Sequence, residues 1–228
     1  HDFIYGEVIH GDYAEIVSVS GMDSVTEYVL WKATWSALKE ENFFELDWTL
    51  KRHNTFAESF VPVTFVGNHD VSRIATQVGA DKAVLAATVL FTVAGVPLVY
   101  YGDEQGYTGL KEERIGGDDQ IRPVFPDSPE ELSTLGEDLY RAYQQLVAMR
   151  RRFPWLHSAR VETDELRNGF LRYRVIATDA ALVGDAAGTS GEAGASDEMP
   201  SLIVELNLEN GATSAVIRDG DHVEFEFS

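Results

Sequence analysis

Two short apolar segments that end in polar residues constrain the fold of this chain more than any other feature. Residues 65–70 read FVGNHD, and residues 95–106, about one helix length further along, read GVPLVYYGDEQG. Each segment reads as a strand whose polar residues begin where the strand stops. In a parallel α/β barrel these strand ends carry the chemistry, because their side chains converge on one pocket at the C-terminal rim. Two such strands in succession predict a barrel-type α/β fold.

The periodicity of apolar residues in the first part of the chain alternates as a βα array requires. Strands are predicted at residues 3–9, 22–28, 60–66 and from residue 95 onwards. Helices are predicted at residues 29–50, 82–93 and 132–153, with Pro154 ending the last one. The first strand is expected to be buried. Residues 108–129 contain three prolines and a GGDD run, which predicts an irregular loop over the active face.

After about residue 158 the pattern changes to short strands separated by turn dipeptides. These strands are predicted at residues 169–177, 201–208, 214–218 and 222–227. Asn210-Gly211 and Asp219-Gly220 are typical of hairpin turns. Residues 179–200, rich in glycine, alanine, serine and acidic residues, are predicted to form a flexible loop. The sequence therefore predicts an α/β domain over residues 1–157 and a small antiparallel β-domain over residues 158–228.

Three segments resemble the α-amylase family, glycoside hydrolase family 13. FVGNHD and YYGDE are similar to the ends of the last two barrel strands of that family, and FIYGEVIH at residues 3–10 is similar to its fifth-strand motif. Their order and helix-sized spacing make a joint signal that none gives alone. The resemblance covers about residues 1–155. It implies an α/β fold that is the C-terminal half of a TIM (β/α)8 barrel, strands five to eight, followed by a small antiparallel β-domain.

The resemblance also implies that part of the catalytic machinery lies elsewhere. In that family the covalent nucleophile is an aspartate on the fourth strand, in a Gly-x-Arg-x-Asp-like motif, and this chain has no matching segment. The chain is therefore expected to be the C-terminal half of a retaining hydrolase or transglycosylase acting on α-glucans, maltodextrins or α-glucosides. Its expected partner is the N-terminal half of the barrel or a second copy of itself. The alternative is a catalytically silent carbohydrate-binding or structural member, since fold does not fix function.

The resemblance assigns roles to five residues near the strand ends. Glu7 would be the proton donor, because a retaining glycosidase needs one carboxyl group that is protonated when the glycosidic oxygen departs and ionised when water attacks. Asp70 would be the third catalytic carboxylate, which stabilises the oxocarbenium-like transition state. His69 would donate to a sugar hydroxyl. Asn68 and Arg73 are also assigned to substrate binding, with Arg73 orienting a carboxylate through a bidentate bond.

Other conspicuous residues are interpreted as structural. Asp103 and Glu104 follow the predicted eighth strand, where the family motif is mostly architectural. The four tryptophans fit helix core positions better than sugar platforms; they are Trp31, Trp35, Trp48 and Trp155.

Composition excludes several classes of partner. The chain has 38 acidic and 18 basic residues, a net charge of −20, and no basic stripe, so no nucleic-acid partner is expected and a neutral substrate fits better. No apolar run approaches the ~18 residues of a membrane span, so no membrane partner is expected. The chain has no cysteine, and Asp118-Asp119 lack the spacing of a calcium loop; no metal or other cofactor is predicted. The compartment is left open, with the cytoplasm slightly favoured over secretion.

Overall fold

The computed structural model describes residues 2–178 and 199–228. Its first part alternates four short strands with helices, as the sequence predicts. The strands are β1 (Tyr5–Gly6), β2 (Ser24–Val25), β3 (Val63–Phe65) and β4 (Val96–Leu98). The helices are α1 (Tyr13–Ser20), α2 (Tyr28–Glu40), α3 (Phe44–Ala57), α4 (Ile74–Val78), α5 (Ala80–Thr92) and α6 (Glu137–Arg152).

The four strands lie side by side and all run in the same direction. β1 pairs with β2 in parallel, with Tyr5 opposite Ser24, and β3 pairs with β4 in parallel. A parallel bridge between Thr26 and Val63 joins the two pairs. The carboxyl ends of all four strands therefore meet at one edge, where parallel sheets place their ligand sites.

The expectation that residues 3–9 form a buried strand is wrong. Only Tyr5–Gly6 is a strand, and the side chains of Phe3, Ile4 and Ile9 are each more than half exposed. Among the described residues, β2 is the only strand that pairs with β1. No described strand lies on the other edge of β1 to cover the exposed side chains, whereas Val8 packs against a small cluster that includes Tyr13.

The predicted helix over residues 29–50 is two helices. α2 ends at Glu40, and the next residue, Glu41, has a positive φ of 52°; the backbone N–H of Phe44 then donates to Asn42 Oδ1 at 3.1 Å. α5 and α6 confirm the other two helix predictions, and α6 ends before Pro154. α1 and the short α4 were not predicted. Residues 108–129 are irregular, as predicted.

The second part of the chain is a five-stranded antiparallel sheet. Its strands are β5 (Arg160–Arg167), β6 (Phe170–Ile176), β7 (Ser201–Asn207), β8 (Ser214–Asp219) and β9 (His222–Phe227), paired in that order. The predicted turns are confirmed, since Asn210, Gly211 and Gly220 all have positive φ. β5 was not predicted. The predicted flexible loop at residues 179–200 lies outside the described residues except for its last two.

One hydrophobic core joins the sheet to the helices. Buried side chains of α2, α3, α5 and α6 pack together with those of β5 to β9. Polar contacts support the junction: the side chain of Asn54 makes two hydrogen bonds of 2.8 Å with the backbone of Val161, and the hydroxyls of Thr92 and Tyr173 lie 2.7 Å apart. The division at residues 157 and 158 stays a prediction. Within the described residues, no helix is long and apolar enough to cross a membrane.

The tryptophans do not all occupy the core. Trp155 is buried, and Trp35 and Trp31 are partly buried against hydrophobic clusters, as predicted. Trp48 is 61% exposed, so its assignment to the core is wrong. It lies on the outer face of α3, away from the buried Leu46 and Leu50.

Candidate active site

A cavity of about 500 Å³ lies at the carboxyl ends of the four parallel strands. Its walls come from segments that are distant in sequence but adjacent in the sheet. The lining residues are Tyr5, Glu7, Thr26, Phe65, Gly67, Asn68, His69, Leu98, Val99 and Tyr100. The structure thus brings together three of the five residues assigned to the site, Glu7, Asn68 and His69.

A hydrogen-bonded chain holds the carboxylate of Glu7. The hydroxyl of Tyr28 donates to Glu7 Oε1 at 2.7 Å and accepts from Asn68 Nδ2 at 2.7 Å. Burial, reinforced by the hydrogen bond to Glu7, raises the pKa of Tyr28 well above its usual value, so this phenol stays a donor. Glu7 Oε2 lies 3.8 Å from His69 Nε2 and remains available to a ligand.

Tyr28 was missed by the sequence reasoning. It is the first residue of α2 and follows β2 closely, so it obeys the same rule of polar side chains at strand ends. The strand predicted over residues 22–28 includes Tyr28, so the sequence does not mark it as a residue beyond a strand end. The segment that follows β1 is also held in place, because the N–H of Val8, next to Glu7, donates to Thr26 Oγ1 at 3.0 Å.

Asp70 lies at the rim of the cavity rather than on its wall. Its backbone N–H donates to Asn68 Oδ1 at 2.9 Å, which turns the chain after β3. Its Oδ1 is 3.4 Å from Lys111 Nζ and 3.4 Å from Arg122 Nη2. The carboxylate of Asp70 is therefore paired with two cations in this structure.

The irregular loop at residues 108–129 supplies those two cations. Arg122 also donates from Nε to the carbonyl oxygen of His69 at 2.9 Å, and both bases pair with Asp118. The hydrogen bond from Lys111 lowers the pKa of Asp118. The loop therefore lies against His69 and Asp70, next to the cavity, and its position over an active face stays a prediction. No spacing signal in the sequence singles out Lys111 and Arg122, because loop geometry places them.

Arg73 does not reach the cavity. Its side chain is 1% exposed, and its Nη1 donates to Asp103 Oδ1 at 3.0 Å and to the carbonyl oxygen of Tyr101 at 2.5 Å. The guanidinium also lies 4.1 Å from the centroid of the Tyr100 ring. The assignment of Arg73 to substrate binding is therefore wrong. Arg73 does orient a carboxylate, but this is the carboxylate of Asp103 beneath the cavity, and only Nη1 of the guanidinium contacts it.

Asp103 has the architectural place predicted for it. It is fully buried, and burial raises the pKa of its carboxyl group to about 6 despite the opposing effect of Arg73. Gly67 permits this packing, since a Cβ there would lie 2.2 Å from Asp103 Oδ2. The Arg73–Asp103 pair thus supports the cavity wall from below.

We expect Arg73→Met to lower the free energy of unfolding by about 3–5 kcal/mol, because it leaves a carboxylate buried without its partner. Chemical denaturation measures this loss. The double variant Arg73→Met/Asp103→Asn removes both charges and should recover part of it. As a surface control, Arg141→Met breaks an exposed pair with Glu137 and should cost less than about 1 kcal/mol. Equal losses for Arg73→Met and Arg141→Met would contradict the structural role of the buried pair.

Within the described residues, no three His, Cys, Asp or Glu side chains are grouped so that they could hold a metal ion.

Comparisons with known proteins agree with the geometry. A family model described as the alpha amylase catalytic domain matches residues 3–141. A 4-alpha-glucanotransferase of Thermotoga neapolitana is 34% identical over 119 residues, which are 51% of this chain and 25% of that protein. An alpha-amylase of Streptomyces lividans is 29% identical over 208 residues, covering 79% of this chain and 22% of that protein.

Solved structures extend the likeness to both parts of the fold. An alpha-amylase from Anoxybacillus superimposes with a TM-score of 0.67 at 20% identity, covering 96% of this chain and 44% of that one. The chain spans about a quarter of the length of the curated relatives above. Because the family model matches more than half of the 228 residues, including Glu7 and the whole FVGNHD segment, the chain belongs to the α-amylase family, glycoside hydrolase family 13.

Proposed function

We propose that this chain is the C-terminal part of a retaining glycoside hydrolase or transglycosylase that acts on α-glucosidic bonds of starch-type glucans, maltodextrins or α-glucosides. The observation that carries the proposal is the position of Glu7. Its carboxylate lines a cavity at the strand ends, is held on one oxygen by Tyr28, and presents the other beside His69. A positioned carboxyl group beside a sugar-sized cavity is what acid–base catalysis of glycoside cleavage requires.

The proposal includes the architecture of the catalytic domain. In it, β1 to β4 are the fifth to eighth strands of a TIM barrel, residues 1–157 are the C-terminal half of that barrel, and residues 158–228 are the terminal β-domain. Three observations support this: the four strands are parallel and contiguous, β1 and β4 each pair on one edge within the described residues, and the chain covers 44% of the Anoxybacillus enzyme. The nucleophile would then lie on the fourth strand, outside this chain.

In this mechanism Glu7 transfers the proton. Its Oε1 accepts from Tyr28, so the proton that protonates the departing glycosidic oxygen is carried by Oε2. As the bond from the anomeric carbon to that oxygen breaks, the nucleophile forms a bond to the anomeric carbon. Water, or an acceptor hydroxyl in transglycosylation, later attacks the same carbon; the bond from that carbon to the nucleophile breaks, and the attacking hydroxyl gives its proton to Glu7.

The other site residues bind and stabilise. The negative charge of Asp70 would stabilise the positive charge that develops on the sugar ring, and this favours the transition state over the ground state. His69 and Asn68 would contact sugar hydroxyls at the cavity wall. Because Asp70 is paired with Lys111 and Arg122, these cations must share it with the sugar or move aside when the substrate binds.

The same pairing is the observation that favours the alternative function. Because Asp70 is paired with two cations, it contributes less negative potential at a bound sugar. Weak stabilisation of positive charge is expected of a carbohydrate-binding member that breaks no bond. The two readings differ in whether bonds are broken. A binding member would retain maltodextrins without releasing products.

Product stereochemistry tests the proposed reaction. The protein that joins this chain to the remaining barrel strands should release the α-anomer first from maltoheptaose, since two displacements at one carbon retain its configuration. Proton NMR of freshly formed product identifies the anomer before slow mutarotation mixes the two forms. The Glu7→Gln variant gives the background signal without catalysis. A β-anomer formed first would refute the retaining mechanism. Binding of maltoheptaose without product release would establish the silent alternative.

A further inference from the structure

A buried pair of ionisable side chains, Glu27 and His53, lies next to the candidate active site and takes no part in the proton transfer. Both side chains are 0% exposed, and His53 Nδ1 lies 2.7 Å from Glu27 Oε2. We propose that Glu27 and His53 are positioning residues: their pair fixes the first turn of α2 and, through it, the hydroxyl of Tyr28 that holds Glu7. The inference rests on the proposed function and extends it to residues that touch no substrate.

Glu27 connects the end of β2 to the beginning of α2. Its backbone N–H donates to the carbonyl oxygen of Val63 on β3 at 2.9 Å, and its own carbonyl oxygen accepts from the N–H of Trp31 at 3.3 Å. The next residue is Tyr28, whose Cα is about 3.8 Å from that of Glu27. The hydroxyl of Tyr28 donates to Glu7 Oε1. The place of this hydroxyl therefore depends on how Glu27 is held.

The side chain of Glu27 does not cap the helix that it begins. Glu27 is the N-cap residue of α2, but its carboxylate makes no hydrogen bond to the N–H groups of the first turn and pairs with His53 on α3 instead. An ionised carboxylate can only accept, so His53 Nδ1 is the donor when Glu27 is ionised. The pair thus ties the start of α2 to α3.

Stability alone does not account for a pair of this kind. Burying a carboxylate and an imidazole is costly, and apolar side chains of similar size often stabilise a fold more than a buried ion pair does. Glu27 Oε1 and His53 Nε2 are also buried without a hydrogen-bond partner among the described residues, which adds to the cost. Buried polar pairs can instead specify one arrangement of the elements that they join. The arrangement specified here includes Tyr28.

The other contacts of Tyr28 are less directional than its hydrogen bonds. Its ring packs edge-on against Trp31 and Phe65, with centroids 5.6 and 4.8 Å apart. The hydrogen bond to Glu7 needs a narrow range of distance and angle. A shift of the first turn of α2 would move the hydroxyl out of that range, and a misplacement of about 1 Å at a catalytic group can cost about 10²-fold in rate.

NMR of the 228-residue chain tests the positioning without requiring a reaction. Tyrosine labelled with ¹³C at Cζ reports on its own hydroxyl, and the Tyr28→Phe variant assigns the Tyr28 resonance among the nine tyrosines. Glu27→Gln and His53→Leu should each shift this resonance. His53→Asn keeps a donor near the position of Nδ1 and should shift it less. An unmoved Tyr28 resonance in folded Glu27→Gln or His53→Leu protein would overturn the proposal.

Two control variants should leave the Tyr28 resonance in place. His222→Gln breaks an exposed contact between His222 and Glu224 in the antiparallel sheet. Leu50→Ala opens a cavity in the core face of α3, the helix that carries His53, and lowers stability without touching the pair. If Leu50→Ala shifts the Tyr28 resonance as much as His53→Leu does, the effect is one of packing and the proposal is overturned.

A double-mutant cycle in the protein with the complete barrel connects the pair to the reaction. His53→Leu should lower kcat for maltoheptaose by up to about 10²-fold with little change in KM. In the Tyr28→Phe background it should cause almost no further loss, because the hydroxyl that it positions is gone. Independent, multiplying losses would overturn the proposal. If the Tyr28 resonance shifts as expected but the joined protein breaks no glycosidic bond, the positioning of Tyr28 stands and the proposed reaction fails.

Discussion

Replacing Glu7 by glutamine in the protein that contains the complete barrel is expected to lower kcat/KM for substrates with poor leaving groups by about 10²–10⁴-fold. Glutamine keeps the shape of the side chain and can still accept from Tyr28, but it has no proton to give to the departing oxygen. Glycosyl fluorides need little acid assistance, so their cleavage should be largely spared. The measurement is kcat/KM across a leaving-group series.

Asp70→Asn should affect the same series differently. Its expected role is electrostatic and independent of the leaving group, so every substrate should lose about 10²–10³-fold. Glu40→Gln, an exposed carboxylate at the end of α2, is the matched control and should leave kcat/KM unchanged. Equal losses across the series for Glu7→Gln, or full activity of that variant on maltooligosaccharides, would remove Glu7 from the proton-donor role.

The location of the site could be predicted from sequence because the strand-end rule is local. Glu7, Asn68 and His69 follow short apolar strands, and parallel strands that lie side by side bring their ends together whatever the rest of the chain does. The direction of Arg73 could not be predicted in this way. It is set by Asp103, thirty residues later, and by the two aromatic rings around the guanidinium.

Helix boundaries explain the failure at Trp48. The apolar spacing over residues 29–50 predicts one continuous helix, but Glu41, with its positive φ, follows the end of α2 and a second helix begins at Phe44. Spacing across such a break carries no information about which face is buried. The sequence gives only a weak indication of this helix start, namely Asn42, since asparagine is common at helix starts.

The sheet shows a similar limit. Turn dipeptides and alternating apolar residues identified four of its strands, whereas β5 reads RVETDELR and buries only Val161 fully. Its membership depends on pairing with β6 and on charged side chains facing their cross-strand partners, such as Glu162 and Arg174. Periodicity of apolar residues does not record such pairs.

Left on its own, the 228-residue chain is expected to hydrolyse maltodextrins and nitrophenyl α-glucosides at close to the uncatalysed rate. In the proposed mechanism the nucleophile lies on a strand outside this chain, so no glycosyl-enzyme intermediate should accumulate. Adding a second polypeptide that carries the remaining strands and the nucleophile should restore hydrolysis with retention. The measurement compares initial rates of the chain, of its partner and of the mixture.

The same experiment tests how the chain assembles. Among residues 2–178 and 199–228, no strand pairs with the outer edge of β1 or of β4, and Phe3, Ile4 and Tyr5 are exposed, which favours pairing with further strands or with a second copy. Size-exclusion chromatography with light scattering should therefore show a complex with the added half, or self-association without it. A combination of Phe3→Ser and Ile4→Ser should weaken both, because it removes apolar surface at the open edge of β1. A stable, monodisperse monomer that hydrolyses these substrates at enzymatic rates with retention would show that the nucleophile lies within this chain and that the half-barrel proposal is wrong.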